Sequence, residues 1–398
     1  MLSHHVKQPG LRTDDNETID ILKSLIRIDS VNPDLGGGPG EGNMAREIES
    51  RFRKAGLDVE TQKVEGDRFN VIGILRGRGH GKRLMLNGHM DTVGVENMEV
   101  EPFNPLVKDG LLFGRGSCDM KGGLAAMMSA AAGIARSSRR LEGDLYLAAV
   151  VDEEYDSIGS EKALDGYPVD GVIVCEPTEM KVGIAHMGFV WIEIETIGKA
   201  AHGSVVEEGQ DAIVDMVRVI DEITRTETNG PRRAHDLLGS PKFHTSKIIG
   251  GQDWSIVPDR CRLMVERRTL PGETSADIVD EIREAISSAN ARFPNIRAKA
   301  KLVFERSPLE TSRNENVVRA VAEAVEGATR REPQVAGMPY WSDASIFSNR
   351  GNIPSVLFGP GSIRNAHSAK EFAPVEEVKT AARILADAAV RFCGETDG

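Results

Sequence analysis

The chain has 398 residues, of which 40% are apolar, 28% charged and 5% aromatic, an ordinary composition for a globular protein of two or three domains. Its 49 basic and 61 acidic side chains leave a net charge of −12, which argues against a nucleic-acid or anionic-membrane surface as its main business. The longest apolar runs, VIVC and LYLAAVV, fall far short of the roughly 20 residues that a membrane span needs.

The polar start MLSHHVKQPGLRTDDNE has no apolar core of the signal-peptide kind. Ile19, Leu22 and Ile26 recur at helical spacing, as do Met44, Ile48 and Phe52 before Gly56. The intervening tract Gly36-Gly37-Gly38-Pro39-Gly40 lacks the lysine of a phosphate loop and follows no clear strand, so it reads as a loop. Phe69 to Leu75 and Leu84 to Leu86 look like strands, with a basic solvated turn at 77–83 between them. Leu124 to Ala135 is an Ala/Met-rich helix, and Leu145 to Val151 and Val172 to Cys175 are again strand-like. Short, nearly continuous apolar runs separated by helices predict a largely parallel sheet covered on both faces, an α/β/α arrangement.

From Gly188 the texture changes. Val190, Ile192 and Ile194 alternate with Trp191, Glu193 and Glu195, the signature of a sheet with one wet face. A helix (Asp211 to Thr224), strands near Ser246 to Ile249 and Arg260 to Arg267, a helix (Ala276 to Ala291) and a strand (Ala298 to Phe304) follow. That order is the split βαβ pattern of an α+β ferredoxin-like domain, inserted at 188–305 into a domain formed by 1–187 and 306–398. Helices at Val317 to Ala328 and Val375 to Phe392, with a strand at Ser355 to Phe358, complete the chain. Cys118, Cys175, Cys261 and Cys393 lack CxxC spacing and read as reduced thiols of a cytoplasmic protein.

The chemistry-bearing residues stand at the ends of apolar runs. His89 and Asp91 follow LMLNG, Glu153 and Glu154 follow LYLAAVVD, Glu176 follows VIVC, and Asp119 precedes the Ala-rich helix. Residues just past the carboxyl ends of strands in an open α/β sheet converge on one crevice. Alone, His89 is a structural histidine, Glu153-Glu154 a solvated acidic pair and Asp119 a helix cap. Together they crowd negative charge that would repel unless protonated, a conflict that one or two divalent cations resolve. Imidazole and carboxylate ligands without a thiolate cluster suit zinc, cobalt or manganese.

The ordered set GHMDTV, GRGSCDMKGG, DEE, EPT and NAHS resembles the dinuclear-metal amidohydrolases and metallopeptidases, the family of acetylornithine deacetylase, succinyl-diaminopimelate desuccinylase, aminoacylase and carboxypeptidase G. The likeness spans the chain, insert included, where GKAAHGS and ERRTLPGE also look like family segments. The resemblance implies two metal ions per subunit. Asp119 would bridge them, His89 and Glu176 would complete one, and Glu154 and His367 the other. Asp91 would orient His89, Glu153 would be the general base, and the Asp119–Met120 peptide would be cis. In the insert, His202 would reach a neighbouring subunit's site and hydrogen-bond the developing oxyanion. Arg268 would clamp a substrate carboxylate, a task suited to a bidentate guanidinium, with Arg267 on the opposite face. Gly359 and Gly361 would line the substrate pocket. Asp343, in YWSDASIF, matches another family segment without a firm role.

One position departs from the pattern. Where relatives commonly carry asparagine, GGQDWSIVP has Ser255, shorter and without an amide, which puts that substrate contact in doubt. Trp254, Tyr340 and Trp341 are candidates for an aromatic wall or for core. The implied function is hydrolysis of the amide bond of a small N-acylated amino acid by a homodimer, Glu176 rather than aspartate pointing to the deacylase branch. A dipeptidase or carboxypeptidase on the same scaffold and a non-catalytic metal- or ligand-binding protein are the alternatives. A dinucleotide-binding oxidoreductase fails for lack of a GxGxxG turn.

Overall fold

The computed structural model describes residues 12–229 and 233–396; most of the polar leader lies outside them. They form two compact units. One holds residues up to Ala185, Thr311–Met338 and the chain from Ser342 on; the other holds His186–Glu310 and Pro339–Trp341. Trp341 joins the second unit because its ring meets Phe189 edge-on at 6.3 Å and its indole N–H donates to the Ser307 carbonyl at 3.1 Å.

The larger unit is built on a mixed sheet. Leu84–His89 lies between Leu145–Val150 and Gly171–Val174, and Ser355–Leu357 follows Gly171–Val174, all three pairings parallel. Leu84–His89, Leu145–Val150 and Gly171–Val174 are buried at every position. Because successive side chains point to opposite faces, both faces of this centre are covered. Toward one edge the sheet turns antiparallel, through Arg68–Leu75 and then Asp58–Glu65. These two strands are joined by a two-residue turn, which only an antiparallel pair permits.

The helix predicted over Leu124 to Ala135 starts earlier and runs Lys121–Arg136, buried along nearly its whole length. Its glycines allow this. A Cβ on Gly123 would stand 2.0 Å from the Cys175 carbonyl oxygen, so glycine lets the helix approach the strand end that carries Glu176. Asp15–Ile26 and Val375–Cys393 pack on the same helix. The Asp14 carboxylate caps the first of these by accepting from the N–H groups of Asn16 and Glu17.

The smaller unit is a four-stranded antiparallel sheet in the order Lys242–Gly250, Arg260–Thr269, Gly188–Ile197, Ala298–Arg306. With helices Ala212–Asn229 and Ser275–Arg292 between strands, this is the ferredoxin-like arrangement. Val190, Ile192, Ile194, Leu263 and Val265 form one core with Met216, Val219, Ile282 and Ile286 of the helices. Among the described residues all four cysteines are free and buried, and no helix is long and apolar enough to cross a membrane.

Candidate metal centre

His89 ends the central strand, and Asp119 stands two residues before the buried helix. The Asp119–Met120 peptide is cis, as the resemblance implied. His89 Nε2 is 3.1 Å from Asp119 Oδ1, and His367 Nε2 is 3.4 Å from Asp119 Oδ2. One carboxylate therefore faces two imidazoles. His367 Nε2 also meets Glu154 Oε1 at 3.1 Å, while His89 Nε2 lies 3.8 Å from Glu176 Oε1 and 4.0 Å from Glu153 Oε2. Two sets of donor atoms stand within 4.8 Å of one another and share His89: His89, Asp119 and Glu154, and His89, Glu153 and Glu176.

The chain behind these groups is tightly tied. His89 Nδ1 is 3.0 Å from the Asp91 carbonyl oxygen and 3.4 Å from its carboxylate. That carboxylate accepts the N–H groups of Glu153 at 3.2 Å and Glu154 at 3.1 Å, and the Asn32 amide at 2.8 Å. Asp91 thus fixes both the imidazole and the acidic pair. The Asn32 amide also donates to Asp152, which is paired with Arg68, itself paired with Glu41.

Electrostatics fit this donor set to divalent cations. Burial works against the His89 cation, but hydrogen bonds to Asp119 and Asp91 and the charges of Glu153 and Glu176 outweigh it and hold its pKa well above the ordinary value. His367 is likewise opposed by burial, yet pushed up to about 11 by Asp119 and Glu154. Burial raises Asp119, but the two imidazoles overcome it and hold the acid below its usual range. Glu153 and Glu176 are pushed well up by burial, and their acidic neighbours add to it. Oxygen and imidazole donors in a charge-strained cluster, buried except at the half-exposed His367, suit a hard or borderline divalent cation.

Of the other sequence candidates, Gly359 and Asp343 border the cluster: a Cβ on Gly359 would stand 2.5 Å from the Glu176 carbonyl oxygen, and the Asp343 charge acts on both Glu153 and Glu176. In the smaller unit, His202 is exposed, 2.8 Å from the Ser204 hydroxyl. Ser255 lies alongside, its carbonyl accepting the Gly203 N–H at 2.7 Å. Trp254 is fully exposed, so it belongs to neither a core nor a wall in this unit. Arg268 lies over the Phe189 ring, 5.2 Å from its centroid, and its Nε donates to Glu266 at 2.7 Å. Arg267 alternates to the buried side and pairs with Glu273. In the larger unit the Gly359 and Gly361 N–H groups are taken by the Thr178 hydroxyl and the Glu377 carboxylate. Asp343 is buried and accepts from Ser160 at 2.6 Å, and burial pushes it up to about 6.

Sequence reasoning missed Asn32, Arg68, Glu41 and Glu371. Each is a polar residue outside the motifs, and only tertiary burial distinguishes it from a surface residue.

An α/β scaffold that gathers imidazoles and acids at its strand ends defines a protein of the metal-dependent hydrolase type. The pattern of peptidase family M20/M25/M40 matches residues 85–391, and the chain belongs to that family, a class of metallopeptidases and amidohydrolases. It is 30% identical over 357 residues to acetylornithine deacetylase of Myxococcus xanthus, covering 87% of this chain and 91% of that protein. It is 26% identical to N-formyl-4-amino-5-aminomethyl-2-methylpyrimidine deformylase of Bacillus subtilis, over 95% of each chain. In fold it is similar to the aminopeptidase PepT of Bacillus cereus, with a TM-score of 0.80 at 20% identity over 96% of this chain and 100% of that one. An M20 family metallo-carboxypeptidase from Sulfolobus solfataricus gives a TM-score of 0.74 at 18% identity over 94% and 99%.

Proposed function

We propose that this enzyme hydrolyses the amide bond of a small N-acylated amino acid or a related compound. The observation that carries the reading is the Asp119 carboxylate set between the His89 and His367 imidazoles, with Glu153, Glu154 and Glu176 closing around them. The names of the deacetylase and deformylase relatives support the deacylase branch.

His89, Asp119, Glu154, Glu176 and His367 would hold two divalent cations, zinc foremost and cobalt or manganese next. When bound, such ions supply Lewis acidity toward a scissile carbonyl and lower the pKa of water toward ~7. Glu153 is the general base. Its burial among acids raises its carboxyl above the ordinary value, and cations held by the adjacent ligands would counter that rise and favour the carboxylate that a base requires. It takes a proton from the attacking water and delivers it to the leaving amine. Asp91 holds His89 by its carbonyl and the acidic pair by its carboxylate, so the base and the ligands keep one register. Arg268, braced by Phe189 and Glu266, offers its guanidinium to the substrate carboxylate, and Gly359, Gly361 and Ser255 are the other substrate-facing positions. His202 acts on the oxyanion from a second copy, in a cytoplasmic homodimer formed through the inserted lid and dimerisation domain, 188–305.

The test is Glu153→Gln in metal-loaded protein, assayed on a panel of N-acyl amino acids and dipeptides. Turnover is expected to fall at least ~100-fold, the usual worth of a general base, with metal content unchanged. Undiminished turnover in the metal-loaded variant removes Glu153 as the base. Release of free amino acids from dipeptides, with no acetate released from matched N-acetyl substrates, makes the enzyme a peptidase.

A further inference from the structure

The segment that carries His367 continues into a strand, Phe372–Pro374, paired antiparallel with Leu111–Phe113. The pairing extends one residue further, where the Gly114 N–H donates to the Glu371 carbonyl at 3.2 Å. From this last rung the Glu371 side chain, fully buried, turns into the loop that ends at Asp119. Its Oε2 accepts from Arg115 Nη1 at 2.7 Å and from the Gly116 N–H at 3.0 Å. Its Oε1 accepts from the N–H groups of Cys118 at 2.9 Å and Asp119 at 3.0 Å.

A carboxylate has about four acceptor sites, and here each oxygen receives two donors. Arg115 is itself anchored, its Nε and Nη2 donating to the Gly94 carbonyl at 3.1 and 2.8 Å. The loop reaches this shape through Gly116, which has φ +77 and no room for a Cβ beside Thr92 and Lys121. Glutamate is specifically suited to the position. Glutamine would supply one oxygen, and its NH2 group would confront two donors with a third.

The geometry points to Glu371 as a positioning residue that sets the separation of Asp119 from His367. It grips the Asp119 backbone by side chain, and it lies four residues after His367 on the same segment. His89 is held independently, by its strand and by Asp91. The inference rests on the two-cation reading above, and it assigns Glu371 chiefly to the cation that His367 shares with Asp119 and Glu154.

Cobalt(II) titration followed by visible absorption and calorimetry tests this on the full chain. Groups that orient metal ligands typically change affinity or activity by about 10–100-fold when mutated. In Glu371→Gln one cobalt dissociation constant is expected to rise by that factor, with the other moving less. The absorption of the fully loaded form should change, and kcat should fall while KM holds. Arg115→Lys, which keeps the charge but loses the paired grip on Gly94, should shift the same quantities the same way by less, and serves where Glu371→Gln does not fold. A variant with the wild-type cobalt spectrum and both dissociation constants within about twofold overturns the inference, even if its melting temperature drops. Wild-type protein that takes up fewer than two cobalt ions refutes the two-cation reading, and the inference falls with it.

Discussion

Arg68 offers a measurement of what the buried network under the site is worth. Its guanidinium holds Glu41 through two nitrogens, at 3.1 and 2.5 Å, and Asp152 at 2.8 Å. Both acidic side chains are only 1% exposed, whereas its third partner, Asp34, is 50% exposed and contributes little. Arg68→Met keeps much of the apolar stem and leaves two buried acids without their cation. Removing one partner of a buried pair costs about 3–5 kcal/mol. Burial already raises the pKa of Glu41 and of Asp152 above ordinary values. An acid raised on folding contributes stability below its unfolded pKa and loses it as pH rises through the folded one. Without Arg68 both rise further, so the variant should recover on acidification. Urea unfolding at pH 8 should show a loss of about 3–5 kcal/mol, shrinking by at least about 1 kcal/mol at pH 5, roughly one pKa unit of further shift. A loss below about 1 kcal/mol, or one equal at both pH values, would refute the argument.

Gly123→Ala gains roughly 1 kcal/mol of helix propensity, but its methyl would collide with the Cys175 carbonyl. The protein should be destabilised by about 1–3 kcal/mol and lose activity; a stabilised, fully active variant shows that the helix can shift at no cost. Cation binding must also compete with protons, because His89 and His367 are both raised, the latter to about 11. Zinc affinity should therefore climb between pH 6 and pH 8. Calorimetry in buffers of different protonation enthalpy should detect proton release, and a pH-independent affinity without release contradicts the electrostatics described here.

The legible parts of the fold were those whose burial is written locally. Leu84–His89, Leu145–Val150 and Gly171–Val174 are continuous apolar runs because both faces are covered, and Gly188–Ile197 alternates because Val190, Ile192 and Ile194 face the helices of their unit while Trp191 and Glu193 face away. Asp58–Glu65 (DVETQKVE) gave no signal: it is a polar edge strand, ordered by pairing with Arg68–Leu75. His89, Glu153, Glu154 and Glu176 were legible because imidazole and carboxylate at strand ends have few other uses in such numbers, whereas His367 and the division of ligands between two ions came only from the family resemblance. Glu371, Arg68 and Glu41 were not legible, since an isolated charged residue resembles surface until the chain folds over it. Trp341 drew notice only as an aromatic, although its edge-on contact with Phe189 draws Pro339–Trp341 into the smaller unit.

The first and last strands of the ferredoxin-like unit, Gly188–Ile197 and Ala298–Arg306, are antiparallel neighbours, with Phe189 opposite Arg306. The excursion therefore departs and returns at adjacent points, like a cassette on a two-pin socket. A deletion bridging those points with a few residues would preserve the spacing of the ends, at the cost of the Phe189 ring on which Trp341 packs, and a foreign module with similarly spaced ends could be grafted there. Evolution has the same freedom: this lineage could acquire, trade or shed the cassette while the strand ends carrying His89, Glu153 and Glu176 stayed untouched.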